Sequence, residues 1–138
     1  MKTENLQEWI GKTEEREDLL TSFPANAMAA TLNHKHLDYS ENKNLPPLWH
    51  WLYFLPIFKL SEAGYDGHAA LGDFLPPVQL PRRMWAGSRI DFLSPLKVGH
   101  EYKKKSKIKN VTSKSGRSGD LVFVTVSHEV SNGLTVCI

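Results

Sequence analysis

The chain has a single cysteine, Cys137, in 138 residues. That excludes an internal disulfide and a cysteine-rich zinc site. It has no apolar run near the ~18 residues of a membrane-spanning helix; the longest, Leu48 to Leu60, is broken by His50, Pro56 and Lys59. The polar, acidic N-terminus carries no signal-peptide pattern. Nor is there an excess of one charge: 17 Lys and Arg against 15 Asp and Glu leave a net +2, too little to imply nucleic acid. These absences predict a cytoplasmic protein with neither a membrane nor a nucleic-acid partner. Hydrophobic residues at 41% and charged residues at 23% are ordinary for a globular chain. The length suits one domain, residues 1–138, with a real core.

What is present is concentrated in Leu45–Leu96, which holds three of the four tryptophans and seven of the eight prolines. It opens with Leu45-Pro46-Pro47-Leu48-Trp49-His50-Trp51-Leu52-Tyr53-Phe54-Leu55-Pro56 and closes with Phe74-Leu75-Pro76-Pro77-Val78-Gln79-Leu80-Pro81-Arg82-Arg83-Met84-Trp85-Ala86-Gly87-Ser88-Arg89-Ile90-Asp91-Phe92. Proline fixes its own φ, lacks an N–H and restricts its predecessor. Stiff aromatic segments of this kind wall pockets, with a few polar groups aimed inward. Trp49, His50, Tyr53, Arg82, Arg83 and Trp85 are the candidate lining. The competing reading makes the aromatics core filler and the arginines partners of the acidic N-terminal segment.

Elsewhere the local signals are plainer. Met1–Gly11 reads as a short helix or arm with Leu6, Trp9 and Ile10 on one side, and Thr13–Leu20 as a strand or connector. Thr21 or Ser22 caps a helix to about Leu32, with Pro24 in its first turn. Asn33–Asn44 is a polar loop carrying His34, His36 and Asp38. Pro56–Asp73, with three glycines, reads as a lid-like insertion. Ser88–Leu93 is a predicted strand. Tyr102–Val111 alternates with period two, setting Lys103, Lys105, Lys107 and Lys109 on one face. That row is a solvated face that discourages edge pairing, or else a strip for coenzyme A phosphates. Thr112–Asp120 reads as a loop, Leu121–Val130 as a central strand whose faces are both mostly apolar in its first half, and Asn132-Gly133 as a two-residue hairpin turn into a return strand, Leu134–Ile138.

The two proline-rich segments, with Leu93-Ser94-Pro95-Leu96-Lys97-Val98-Gly99-His100-Glu101-Tyr102 and the run Lys114–Glu129, resemble the N-terminal half of the two-hotdog hydratases and dehydratases of the MaoC group. Mesaconyl-C4-CoA hydratases and 3-hydroxyacyl-thioester dehydratases are members. The resemblance covers Trp9 to the C-terminus. It implies an α+β hotdog, an antiparallel sheet of about five strands wrapped around a helix. The central helix is either Ser22–Leu32 or Leu48–Leu55. It also implies an acyl-CoA or acyl-carrier thioester as substrate, no cofactor or metal, and a homodimer or a heterodimer with a catalytic hotdog chain. Such relatives continue into a second hotdog holding the fuller catalytic loop, so this chain is expected to stop early. The group's D-x-N-P-x-H loop is not matched by Asn33-His34-Lys35-His36-Leu37-Asp38. The catalytic candidates are therefore His36 and His50, neither with an evident partner. Three readings stay open: a substrate-binding half working with a catalytic hotdog, a self-sufficient enzyme using His36 or His50, and a non-catalytic acyl-CoA binding module or truncated remnant.

Overall fold

The computed structural model describes residues 5–138. They form a three-stranded antiparallel sheet, one α-helix and long irregular connections. Strand β1 is Thr13–Leu19, helix α1 Ser22–Thr31, strand β2 Glu101–Gly116 and strand β3 Gly119–Ser131. The order across the sheet is β1-β2-β3. The start of the expected N-terminal helix lies outside the described residues. Its remainder is a 3-10 turn, Gln7–Trp9, behind the buried Leu6.

β1 is charge-rich, and its strand character comes from its neighbour. Gly11 N–H donates to Ile108 O at 2.8 Å, Ile108 N–H to Lys12 O at 2.9 Å and Leu20 N–H to His100 O at 3.0 Å. The pleat then alternates its side chains, with Glu14, Arg16 and Asp18 half-buried and Glu15 and Glu17 outside. Lys103 Nζ lies 3.3 Å from each of the outer carboxylates, which hold its ammonium pKa above the ordinary value. Lys105, Lys107 and Lys109 continue the exposed row.

β2, and not the Leu121–Val130 segment, is the central strand. It buries Tyr102, Ser106 and Ile108 on its inner face. β3 is an edge in this sheet, with Leu121 54% and Phe123 39% exposed. The expected loop Thr112–Asp120 is mostly strand, tightened to Arg117-Ser118. Ser88–Leu93 joins no ladder. The return segment is a single bridge, Ser131 to Val136. There Asn132 Oδ1 accepts from Leu134 N–H at 3.0 Å and Thr135 N–H at 2.8 Å, so the side chain widens the turn.

The chain divides into two compact units. The first takes the described residues up to Glu14, Pro56–Arg89 and Ser106–His128. Its core gathers Leu6, Ile108 and Val111 with Trp9, Phe74 and Val78. The second takes Glu15–Leu55, Ile90–Lys105 and Glu129–Ile138. Its core gathers Leu20, Ala25, Tyr53, Phe54, Val98 and Tyr102, among others. α1 belongs to this second unit and buries Ala25 and Ala29, one turn apart, while Phe23 is 78% exposed. Gly99 sets the turn into β2 at φ +87, its N–H on Leu20 O at 2.7 Å. A Cβ there would sit 2.6 Å from Glu41 Cγ. Gly99→Ala is expected to cost about 1–2 kcal/mol from the left-handed backbone alone. Urea unfolding should show a lower midpoint at unchanged slope.

Candidate functional site

The second unit contains an apolar cleft of about 250 Å³. One wall is Leu45-Pro46-Pro47 with His50; the other is Phe92 to Leu96, and Ile138 completes it. The walls are drawn together by backbone pairing. Leu45 N–H donates to Leu96 O at 2.7 Å, Val98 N–H to Lys43 O at 2.9 Å, and Asn44 bridges Lys97. Leu93 and Ser94 N–H both donate to Cys137 O, at 2.9 and 3.1 Å, which fixes the second wall to the last residues. Prolines at 46, 47 and 95 stiffen both walls.

His50 sits on a 3-10 turn, Trp49–Leu52. Leu48 at φ 72 and Phe54 at φ 57 flank this turn. Left-handed backbone on such large residues stores strain, of the kind that clusters at functional positions. The imidazole is 8% exposed, edge-on to Phe92 at 6.2 Å and 6.0 Å from the Trp51 ring. It is the one ionisable side chain among the lining residues. The Ser94 side chain is the other polar one. A cleft so lined can hold a short apolar group beside a proton-transferring or hydrogen-bonding ring.

Of the six residues expected to line a pocket, His50 lines this cleft. Trp49 packs with Tyr39, at 5.1 Å between ring centroids, and His34, at 5.8 Å, tying the 33–40 loop to the turn. Tyr53 is buried, its hydroxyl donating to Thr21 O at 2.6 Å. Burial pushes its phenol pKa above the ordinary 10.0; a backbone hydrogen bond from Ala25 opposes this and the Asp18 carboxylate adds to it. Tyr53→Phe should cost about 1 kcal/mol for the lost hydrogen bond. Because the folded-state pKa is the higher one, Tyr53 favours the fold below pH 10 and ceases to do so as pH rises through its folded value. The variant should therefore lose part of the wild type's alkaline destabilisation in a denaturation series above pH 9. His36 is exposed in the 33–38 loop, with no hydrogen bond or ion pair among the described residues. Asp38 pairs with Lys43 at 3.4 Å.

The other three candidates lie in the first unit. Arg83 Nε pairs with Asp66 at 3.1 Å and its Nη2 reaches Ala69 O at 3.5 Å. Tyr65 OH donates to Pro81 O. The insertion expected to be a lid is thus a small hairpin, bridged Ala63 to Ala69 and pinned to Pro81–Arg83. Arg82 is exposed, and Trp85 is 74% exposed with its indole N–H on Ser88 Oγ at 3.0 Å. The sequence places Phe92 both at the end of the pocket-walling segment and in a strand, Ser88–Leu93; the structure gives it to the wall and no strand, and Leu93 to Leu96 join it there. Ser94-Pro95 was the available signal: a stiff, ladder-breaking pair.

Among the described residues no helix is long and apolar enough to cross a membrane. A family model for hydroxyacyl-thioester dehydratase type 2 matches residues 48–138, which takes in His50 and the Phe92–Leu96 wall. Over 130 residues the chain is 46% identical to the mesaconyl-C(4)-CoA hydratase of Chloroflexus aurantiacus. That alignment covers 94% of this chain and 46% of the relative, so the chain spans less than half that protein's length. With about two-thirds of its sequence falling within that one family model, the chain belongs to the hydroxyacyl-thioester dehydratase type 2 family.

Proposed function

We propose that this chain is the acyl-thioester-binding half of a hydratase or dehydratase, with the acid–base machinery supplied by a second hotdog that pairs with it. The carrying observation is the composition of the cleft: apolar walls, one imidazole and no carboxylate side chain. Hydration of an enoyl thioester forms a C–O bond from water at the β-carbon and a C–H bond at the α-carbon; it needs a base within ~3 Å of the water proton that is lost and an acid to protonate the α-carbon. The walls would take the acyl chain, and His50 would hold or hydrogen-bond the thioester end. On this reading residues 1–138 are one hotdog domain whose sheet approaches five strands around a helix. The substrate is a coenzyme A thioester, in line with the name of the Chloroflexus aurantiacus relative, or the matching carrier-protein thioester. The working form is a cytoplasmic homodimer or heterodimer without a cofactor. Trp49 and Tyr53 act behind the wall, holding the turn that carries His50.

Calorimetric titration with butyryl-CoA tests the reading. Saturable binding is expected, weakened about tenfold or more in Ser94→Trp, which fills the cleft, while circular dichroism stays unchanged. Failure of the wild-type chain to bind sinks it. Full turnover of crotonyl-CoA by the chain alone, abolished by His36→Ala or His50→Ala, would instead make it a self-sufficient enzyme. Binding without turnover, with or without a catalytic partner, would leave a binding module.

A further inference from the structure

We propose that Asp18 is a positioning residue for the cleft: by accepting the Phe54 N–H, its carboxylate fixes the exit of the turn that carries His50. The inference rests on the acyl-thioester reading above and adds the group that sets where its imidazole points. Asp18, Phe54 and His50 all belong to the second unit.

The Trp49–Leu52 turn has no side-chain cap at its start. Its own closing bonds are Trp51 N–H to Leu48 O and Tyr53 N–H to His50 O, each 3.1 Å. A 3-10 segment this short has too few bonds to hold one pose by itself, so its ends decide the direction of the imidazole. At the entrance, Trp49 N–H donates to Pro46 O at 3.1 Å, and prolines 46 and 47 stiffen the approach. At the exit the chain swings into left-handed backbone at Phe54, φ 57, with the residue 4% exposed. A further 3-10 bond would send the Phe54 N–H back to the Trp51 carbonyl. It goes instead to Asp18 Oδ2, at 2.9 Å. A buried N–H without an acceptor is costly, so this carboxylate is what allows a large residue to keep a strained conformation there.

The pleat of β1 supplies the carboxylate. Glu15 and Glu17 face outward onto Lys103, and Asp18 is half-buried on the other side. Asp18 makes no ion pair among the described residues. Its partner is a main-chain N–H, and a hydrogen bond to a charged acceptor is stronger than a neutral one. Three residues on, Thr21 O takes the Tyr53 hydroxyl at 2.6 Å. Tyr53 and Phe54, the two residues that leave the turn, are thus both tied to the junction of β1 and α1. Neither Asp18 nor Phe54 lines the cleft. The carboxylate therefore acts through the turn and not on an acyl group, and a shift of about 1 Å in a positioned group is enough to lose binding or rate.

Two measurements on the full chain test this. The first follows the histidine ring signals in a proton–carbon correlation spectrum, with His50 assigned from His50→Gln. Asp18→Ala should shift or broaden the His50 signals and leave those of His68, in the first unit, unchanged. Asp18→Asn should restore them, because an amide oxygen can accept the same N–H. The second is calorimetric titration with butyryl-CoA. Asp18→Ala should raise Kd about tenfold, and Asp18→Asn should stay within about threefold of wild type. Asp18→Glu keeps the charge and moves the carboxylate out by one methylene. It should shift the His50 signals and weaken binding, and it carries the test if Asp18→Ala fails to fold. His50 signals unmoved in both the Ala and Glu variants overturn the proposal. So does a lower melting temperature with unchanged Kd, the mark of a purely structural carboxylate. An Asn variant as impaired as the Ala variant also overturns it, since the charge and not the hydrogen bond would then be at work. If the wild type binds no butyryl-CoA, the acyl reading falls and the ring signals alone decide the role of Asp18.

Discussion

Leu20→Ala is expected to destabilise the protein by about 2–5 kcal/mol, enough to threaten folding in a domain whose total stability is of order 5–15 kcal/mol. Leu20 is fully buried in the second unit's core, among Tyr53, Val98 and Tyr102. Its backbone is held on both sides, by Gly99 N–H donating to Leu20 O at 2.7 Å and Leu20 N–H to His100 O at 3.0 Å. The main chain cannot sink into the space a truncated side chain leaves, so the cavity persists. Thermal unfolding should fall by on the order of 10 °C or more. The control is Leu121→Ala on β3, 54% exposed, which should stay within about 0.5 kcal/mol of wild type. A loss at Leu20 below ~1 kcal/mol would mean that this core relaxes far more than its hydrogen bonding allows.

The second large effect concerns turnover. The chain alone should hydrate crotonyl-CoA only at trace rates. Mixing it with the separately expressed remainder of the Chloroflexus aurantiacus relative, or another catalytic hotdog, should raise the rate by about 10²–10⁴, the usual worth of a positioned acid–base group. His50→Gln in that mixture separates the possible roles of the imidazole. As a group that binds the thioester, it should raise KM several-fold and leave kcat within about tenfold. A kcat loss of about 10² or more at unchanged KM would place the proton-transferring base on this chain. No gain on mixing with any catalytic hotdog would remove the two-half proposal.

Local rules reached the elements whose causes are local. Thr21 stands at the N-cap position of α1, though its side chain makes no capping hydrogen bond, Pro24 lies in the first turn, and period-two alternation does separate the lysine row of β2 from Tyr102, Ser106 and Ile108. They were weaker where partners are distant. β1 is a strand because Lys12 and Leu20 find β2 about 80 to 96 residues away, and nothing in Thr13–Leu19 announces that pairing. Leu121–Val130 looks central from its composition, but only the strand order shows it to be an edge. Asn132-Gly133 marks a turn correctly, while the Asn132 side-chain acceptor sets its width.

The amino-acid sequence by itself determined that a proline-stiffened, tryptophan-rich stretch is the special feature of this protein, and its long motifs already carried the family. Those signals survive without coordinates because proline restricts backbone wherever it stands. Only the tertiary structure decided which side of that stretch faces a cleft. Phe92 to Leu96 meets Leu45 to His50 through hydrogen bonds between segments some 50 residues apart, and no local pattern encodes such a meeting. It also gave Arg82 and Arg83, identical neighbours in the chain, different surroundings. Asp66 stands beside one of them, and where a single carboxylate comes to rest depends on how the whole hairpin folds back.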